Sequence, residues 1–322
     1  MNRFKMYFLA LFSVLLLTQC TKDDDNTTEG TELSGELQFE ITDAPSDDES
    51  IEGVFITVVD VKIDGESFEG FSGKKTIDIM AYQNGNVELL GLGELEAGTY
   101  SNISIVLDYE SDVDGNTPGC YVLTTDNTKE SLAASANSSS EILIASSFEI
   151  VAETETKLVA DFDLRKSITT EGSSSDDYSF VSNTELNAAV RIANRPRSGN
   201  IKGNCSDNFN TTDKIVVYAY KKNTYDRDTE IQGQGSSQIE FKNAVTSTSV
   251  DASGQYQLSF LEDGDDYELV FVAYDDDDND GKYTLAGTLE VSTALSLDLS
   301  ALDVNAAADL TVDVLVLGVL PI

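Results

Sequence analysis

The sequence predicts an all-β protein built as two β-sandwich domains in series. Three observations lead there. Apolar residues recur in short runs with a period of two, the pattern of strands with one buried face. Turn residues separate these runs, and almost no stretch keeps a helical period. A short basic segment, Asn194-Arg-Pro-Arg197, splits the runs into two series, as a chain of 322 residues favours.

A different kind of segment precedes both series. Arg3 and Lys5 stand before the apolar stretch Met6 to Leu17, and Cys20 follows at its polar boundary. A charged start and an apolar core shorter than the roughly 20 residues of a spanning helix describe an export leader, residues 1–19. Leu17-Thr-Gln-Cys20 resembles the lipobox of bacterial lipoproteins, in which the cysteine thiol is acylated and becomes the new N-terminus. Gln19 stands where Gly, Ala or Ser is usual, and an ordinary cleaved leader is the alternative. Lys22-Asp-Asp24 resembles the tag that sends some lipoproteins to the outer face of the outer membrane. The resemblance implies Cys20 as lipid attachment site, and residues 20–33, polar, acidic and poor in apolar side chains, read as a flexible tether.

Composition narrows the chemistry. Loss of Arg3 and Lys5 with the leader takes the basic count from 20 to 18 against 58 acids, a formal charge of −40. Such a surface repels nucleic acid, which needs clustered Lys and Arg, and it attracts divalent cations. Disorder does not follow, because 40% of the residues are apolar and they keep strand periodicity. Histidine is absent, so no Ser-His-Asp or Cys-His nucleophile and no histidine zinc site can be assembled. Cys120 and Cys205 fall in different predicted domains; the sequence leaves open a disulfide between them or two free thiols.

In the first domain, Leu37, Phe39 and Ile41 alternate with polar neighbours until Thr42-Asp-Ala-Pro45 ends the strand. Val54, Ile56 and Val58 alternate next, and the phase then slips to Val59, Val61 and Ile63, which predicts a bulge. Asn84-Gly85 is a tight-turn signal between Thr76–Ile79 and Val87–Leu90. Ile103, Ile105 and Leu107 mark another strand, and Leu158, Ala160, Phe162 and Leu164 a further one. Ser131 to Ala145 is expected to hold a short helix or a loop. Val190 and Ile192 close the domain.

Several of these pieces follow one another in a particular order. Gly35-Glu-Leu-Gln-Phe-Glu-Ile-Thr-Asp-Ala-Pro45 leads to Gly85 with Leu89-Leu90, Ala97-Gly-Thr-Tyr100 and Ile105-Val-Leu-Asp108. Phe162-Asp-Leu-Arg-Lys-Ser-Ile168 and Arg191 complete the series. The series resembles domain-of-unknown-function family 4382, found on exported bacterial lipoproteins, over about residues 34–193. The resemblance implies an all-β exported module and carries over no catalytic residue. Leu186-Asn-Ala-Ala189 lacks a proline that the family often has before the last arginine.

In the second domain, residues 198–322, Lys214 to Tyr220 reads as a strand buried on both faces. A turn at Val250–Gly254 leads into Tyr256, Leu258 and Phe260, and Asp263-Gly264 turns the chain into Tyr267–Tyr274. Asp251-x-x-Gly-x-Tyr256 followed by Gly264-x-x-Tyr267 resembles carboxypeptidase regulatory-like and prealbumin-like β-sandwich domains. That resemblance implies a spacer or binding scaffold. Leu310 to Leu320, interrupted by Asp313, reads as a last core strand.

One constellation offers chemistry. Asp276, Asp278 and Asp280 alternate and precede Gly281, so their carboxylates can converge on a hard cation such as calcium. Position twelve from Asp276 is Gly287 rather than a bidentate glutamate, and a solvated hairpin tip is the plainer alternative. Asp112-Val-Asp114-Gly115-Asn116 reads as an ordinary turn. Gly91-x-Gly93 and Gly233-x-Gly235 lack the rest of a nucleotide loop. Among the tyrosines, Tyr225 and Tyr283 are candidates for exposed binding aromatics, and Tyr218 and Tyr220 for the core.

The reading is an outer-membrane lipoprotein facing the outside, a non-enzymatic binding or structural module with calcium stiffening its second domain. Its partner would be a surface glycan or a protein. The alternative is a carbohydrate-binding accessory protein or a glycan hydrolase using two carboxylates about 5–9 Å apart beside exposed aromatics.

Overall fold

Alternation in the sequence becomes burial in the structure. Leu37, Phe39 and Ile41 lie in the core, as do Val54, Ile56, Val58, Val61 and Ile63, while Val59 is 38% exposed. The computed structural model describes residues 33–44, 51–132, 139–170, 178–276, 283–293 and 297–322. Leader, lipid-attachment residue and tether, including Cys20, lie outside the described residues.

The first sandwich contains strands β1 (Ser34–Ala44), β2 (Ile51–Ile63), β3 (Glu66–Ser67), β4 (Lys75–Asp78), β5 (Glu88–Glu96) and β6 (Gly98–Leu107). They are followed by β7 (Tyr121–Thr124), β8 (Lys129–Ser131), β9 (Glu141–Ile150), β10 (Glu155–Asp163) and helix α1 (Leu164–Ser167). Then come β11 (Ile168–Thr170), β12 (Tyr178–Phe180), helix α2 (Asn183–Ala189) and β13 (Val190–Asn194). One sheet has the order β13-β10-β1-β5, and the other β8-β7-β2-β6-β9 with β3 and β4 also on β2. Strands β1 and β10 run parallel; the predicted bulge in β2 appears as a register shift between Val58 and Asp60.

The expected tight turn is present in this half, and two other expectations need correction. Asn84 and Gly85 do take the left-handed conformations of a tight turn, φ +55° and +83°. Yet the turn closes no hairpin, because β4 pairs with β2 and β5 with β1, in different sheets. Of Ser131 to Ala145, residues from Glu141 onward belong to strand β9 rather than a helix or loop, held by β6. Leu164 opens α1 instead of continuing β10.

The second sandwich contains β14 (Ser198–Ser206), β15 (Lys214–Lys221), helix α3 (Arg227–Glu230), β16 (Thr246–Ser249), β17 (Gln255–Glu262) and β18 (Asp266–Asp275). It ends with β19 (Thr284–Thr293), β20 (Leu302–Asp303), β21 (Asp309–Thr311) and β22 (Val314–Pro321). The order is β16-β15-β18-β19-β22-β14-β17. Strand β14 bridges two layers: its first part pairs with β17 and β21, and Cys205 and Ser206 pair with β22. The expected final strand is therefore two strands. They part at Val312-Asp313, where the Asp313 carboxylate accepts the Asn204 N–H at 2.9 Å.

Strand β15 is buried on both faces, as its unbroken apolar run requires. Val217 and Ala219 face the core between the layers, with Leu258, Phe271 and Val316. Val216, Tyr218 and Tyr220 face the other way, against Phe241 and Ala244 from the excursion between β15 and β16. Tyr218 stacks on Phe241 with ring centroids 4.4 Å apart.

Residues Leu33–Ile322 form one compact unit. The second sandwich covers the outer face of sheet β13-β10-β1-β5 at β10 and β13, so most of β10 is buried on both sides. Leu158, Ala160 and Phe162 belong to the first core, while Val159 packs with Ala193 of β13 and Phe260 of β17. Ile239 from the second half joins the first core.

Candidate functional site at the junction of the sandwiches

Strand β10 ends in Asp161, Phe162 and Asp163. Alternation turns Phe162 into the first core and presents the two carboxyls toward the second sandwich. Both carboxyls are buried, which demands partners. Asp161 faces Arg191 of β13 at 2.5 Å, and Asp163 faces Lys166 at 3.0 Å and Arg165 at 3.4 Å. Burial alone would raise the Asp163 carboxyl; the charges of Lys166 and Arg165 outweigh it and hold the group below the usual carboxylate range.

The same cations reach across the junction to main-chain carbonyls. Arg165 donates to the carbonyls of Glu240 and Phe241, and its guanidinium lies 4.9 Å from the Tyr218 ring centre. Lys166 Nζ donates to the Ala244 carbonyl at 2.9 Å. Arg191 donates to the carbonyls of Phe260 and Ser259, at 2.8 and 3.2 Å. Guanidinium groups suit such buried sites, being planar, permanently charged and less hydrated than an ammonium. Arg195 completes the seam with both oxygens of the buried Glu40, each at 2.9 Å.

Further contacts flank the seam. Glu185 on α2 accepts from the hydroxyls of Ser182, Ser236 and Ser237 at 2.7–2.8 Å. Burial opposes ionisation there, but the hydroxyls of Ser236, Ser182 and Ser237 prevail and bring the carboxyl down to about 2. The Asn84-Gly85 turn docks as well, with Gln257 Nε2 donating to the Asn84 carbonyl at 2.9 Å. A Cβ on Gly85 would come within 2.9 Å of that amide.

Two of the spaces along the junction are lined by the groups just described or adjoin them. One is a cavity of about 370 Å³ whose lining includes Asp161, Asp163, Arg191, Glu185, Lys242 and Ile239. The other is an open polar groove of two adjoining parts, about 440 and 880 Å³, that share Asn204, Ser249 and Asp251. Its carboxylates accept main-chain N–H groups, Asp213 that of Asp276 and Asp313 that of Asn204. Asp207 accepts the N–H groups of Phe209 and Thr211, and Asp251 those of Ser253 and Gln255. Bonds from Ser253 and Gln255 lower the Asp251 carboxyl, the opposite of what a general acid requires. Tyr256 in the groove wall is 4% exposed, with its hydroxyl on the Val312 carbonyl.

Of the residues singled out in the sequence, Asp278 and Asp280 lie outside the described residues. Asp276 is half-buried at the base of that loop, and its N–H donates to Asp213 at 3.0 Å. Among the described residues no group of three metal-type side chains gathers. Asp112 caps an ordinary turn, accepting from Asp114 and Asn116. The disulfide alternative gives way to two free, buried thiols. The reason is placement, since Cys120 sits in the first core and Cys205 in the second. Burial pushes both thiols up to about 12, away from reactivity. Tyr218 and Tyr220 are core residues as expected, and Tyr225 and Tyr283 pack partly buried against the same cluster. Among the described residues no helix is long and apolar enough to cross a membrane.

The junction residues Asp163, Arg165, Lys166 and Glu185 were not recognisable as a site. Their signal was a charged triplet directly behind an apolar strand, at Asp163-Leu-Arg-Lys166.

Residues 34–181, the stretch from β1 to just after β12, match the family model described as Domain of unknown function (DUF4382). A comparison with curated proteins returns no match. Among solved structures, the chain is similar to the Bacillus anthracis TIE protein at 12% identity and a TM-score of 0.20, over 88% of this chain and 34% of that one. It is similar to a leucine-rich repeat protein from Bacteroides thetaiotaomicron at 13% identity and a TM-score of 0.20, over 90% of this chain and 26% of that one. For BcpA, the major pilin subunit of Bacillus cereus, the values are 11% and 0.20, over 87% of this chain and 70% of that one. The chain thus spans about a third and a quarter of the first two.

Proposed function

We propose that the chain is a non-catalytic structural and binding module, held outside the cell by a lipid on Cys20, whose two sandwiches act as one rigid body. One observation carries the rigid-body reading. The cations Arg165 and Lys166, within the matched domain, and Arg191 after it are directed at main-chain carbonyls of the second sandwich. Groups tied this way position a neighbour and are poorly placed to activate a substrate. The leader, the lipobox-like cysteine and the acidic tether support the address. Globomycin, which blocks the lipoprotein signal peptidase, tests it: the precursor should accumulate, and unchanged processing would remove the anchor from the account.

Calcium at Asp276, Asp278 and Asp280 belongs to the same proposal, with Asp213 and Asp275 contributing to a dense local negative charge. Millimolar calcium should raise the melting temperature of the full chain, and a D278N/D280N variant should lose that rise. A melting temperature indifferent to calcium would leave a solvated turn.

The polar groove supports a second reading, a carbohydrate-binding accessory protein. It ranks below the first because the groove's tyrosine is buried and its acids are engaged by main-chain N–H groups. Glycan-array binding lost on Q255A would reverse that order.

A further inference from the structure

The cavity between the sandwiches contains hydrogen-bonding capacity that no protein group uses. Asp163 lines it at 3% exposure, and its Oδ1 is buried without a hydrogen-bond partner. Its other oxygen already faces Lys166 and Arg165. Arg191 lines the same space, and its Nε–H likewise lacks an acceptor. Lys242 stands 3.9 Å from Glu185, beyond hydrogen-bond reach. Glu185 is already satisfied by three serine hydroxyls. Buried polar groups left without partners are unfavourable, so a partner in the cavity is favoured. Ala188, Ile239 and Val245 form an apolar part of the wall.

We infer that this cavity is a binding site for a small organic acid carrying a hydrogen-bond donor beside its carboxylate, an α-amino or α-hydroxy acid. The donor meets Asp163 Oδ1, the carboxylate meets Lys242 and the Arg191 Nε–H, and a short aliphatic side chain lies on Ile239 and Val245. About 370 Å³ holds a molecule of this size. The lining is charge-balanced, Lys166, Arg191 and Lys242 against Asp161, Asp163 and Glu185, and so offers a cation to the carboxylate end and an acceptor to the donor end. Each end alone satisfies only half of the open groups. The site therefore discriminates against plain carboxylates and plain amines. This inference stands apart from the lipid anchor and survives its failure.

The test is isothermal titration of the full mature chain in detergent with L-alanine, L-lactate, acetate and methylammonium. Alanine or lactate should bind at least tenfold more tightly than acetate or methylammonium, and the stronger of the two identifies the donor. D163N and K242M should each weaken that binding, by about 10- to 100-fold for D163N. Should D163N fail to fold, K242M decides, because Lys242 is partly exposed and outside both cores. No binding by alanine or lactate, equal binding of acetate, or binding indifferent to the variants would each overturn the site and leave a water-filled cavity.

Discussion

Asp43 ends the inward face of β1, with its carboxyl buried and Gln83 Nε2 donating to it at 3.2 Å. Burial raises this carboxyl well above 3.8, Gln83 opposes the rise, and the charges of Asp161 and Asp163 add to it. A carboxyl raised in the folded state contributes fully at low pH, and its contribution fades as pH climbs past 3.8 toward the folded value. D43N, which cannot ionise, should therefore gain melting temperature relative to the parent between pH 5 and pH 8. Parallel curves over that range would contradict the raised value. Glu185 behaves oppositely. Its stabilisation is complete above 4.5 and is lost as pH falls toward about 2. Glycines divide as sharply. A Cβ on Gly203 would lie 1.9 Å from the Val312 carbonyl, whereas one on Gly98 meets nothing within 4 Å. G203A should cost about 1–3 kcal/mol in urea unfolding and G98A far less; equal midpoints would refute the close approach.

At the scale of elements, a period-two pattern shows that a strand exists and which residues it buries, and that is what could be read. Strand β2 with its slip at Val58–Val59, and β15 with its unbroken apolar run, were legible for this reason. Partnership was not. Asn84-Gly85 carries a hairpin signal, yet its flanking strands enter different sheets, because pairing is decided by residues far away in the chain. Ser and Ala in 131–145 have weak strand propensity, and β9 exists through its pairing with β6. The junction was hidden for a related reason, since Arg165 and Lys166 bind carbonyls, which every residue has and no sequence pattern marks. Removing one such clamp should still be costly. R165A should destabilise the chain by about 3 kcal/mol, leaving Asp163 and the carbonyls of Glu240 and Phe241 less well satisfied. R165K should recover only part of this, lacking the planar fork. A loss below about 1 kcal/mol in chemical denaturation would make the clamp incidental.

At the scale of the molecule, acidity and rigidity belong together. Several cations of this basic-poor chain sit in or beside the junction, so much of the outer surface is left to carboxylates. Such a surface stays well solvated and keeps neighbouring copies apart. The two sandwiches share buried apolar contacts at Val159, Ala193 and Phe260, and Ile239 lies within the other half's core. Partners joined this way should not unfold independently. Differential scanning calorimetry of the full mature chain measures this directly. One transition is predicted, with calorimetric and van't Hoff enthalpies equal and with R165A lowering it as a whole. Two separate transitions, of which R165A moves only one, would show the sandwiches to be independent and contradict the rigid body.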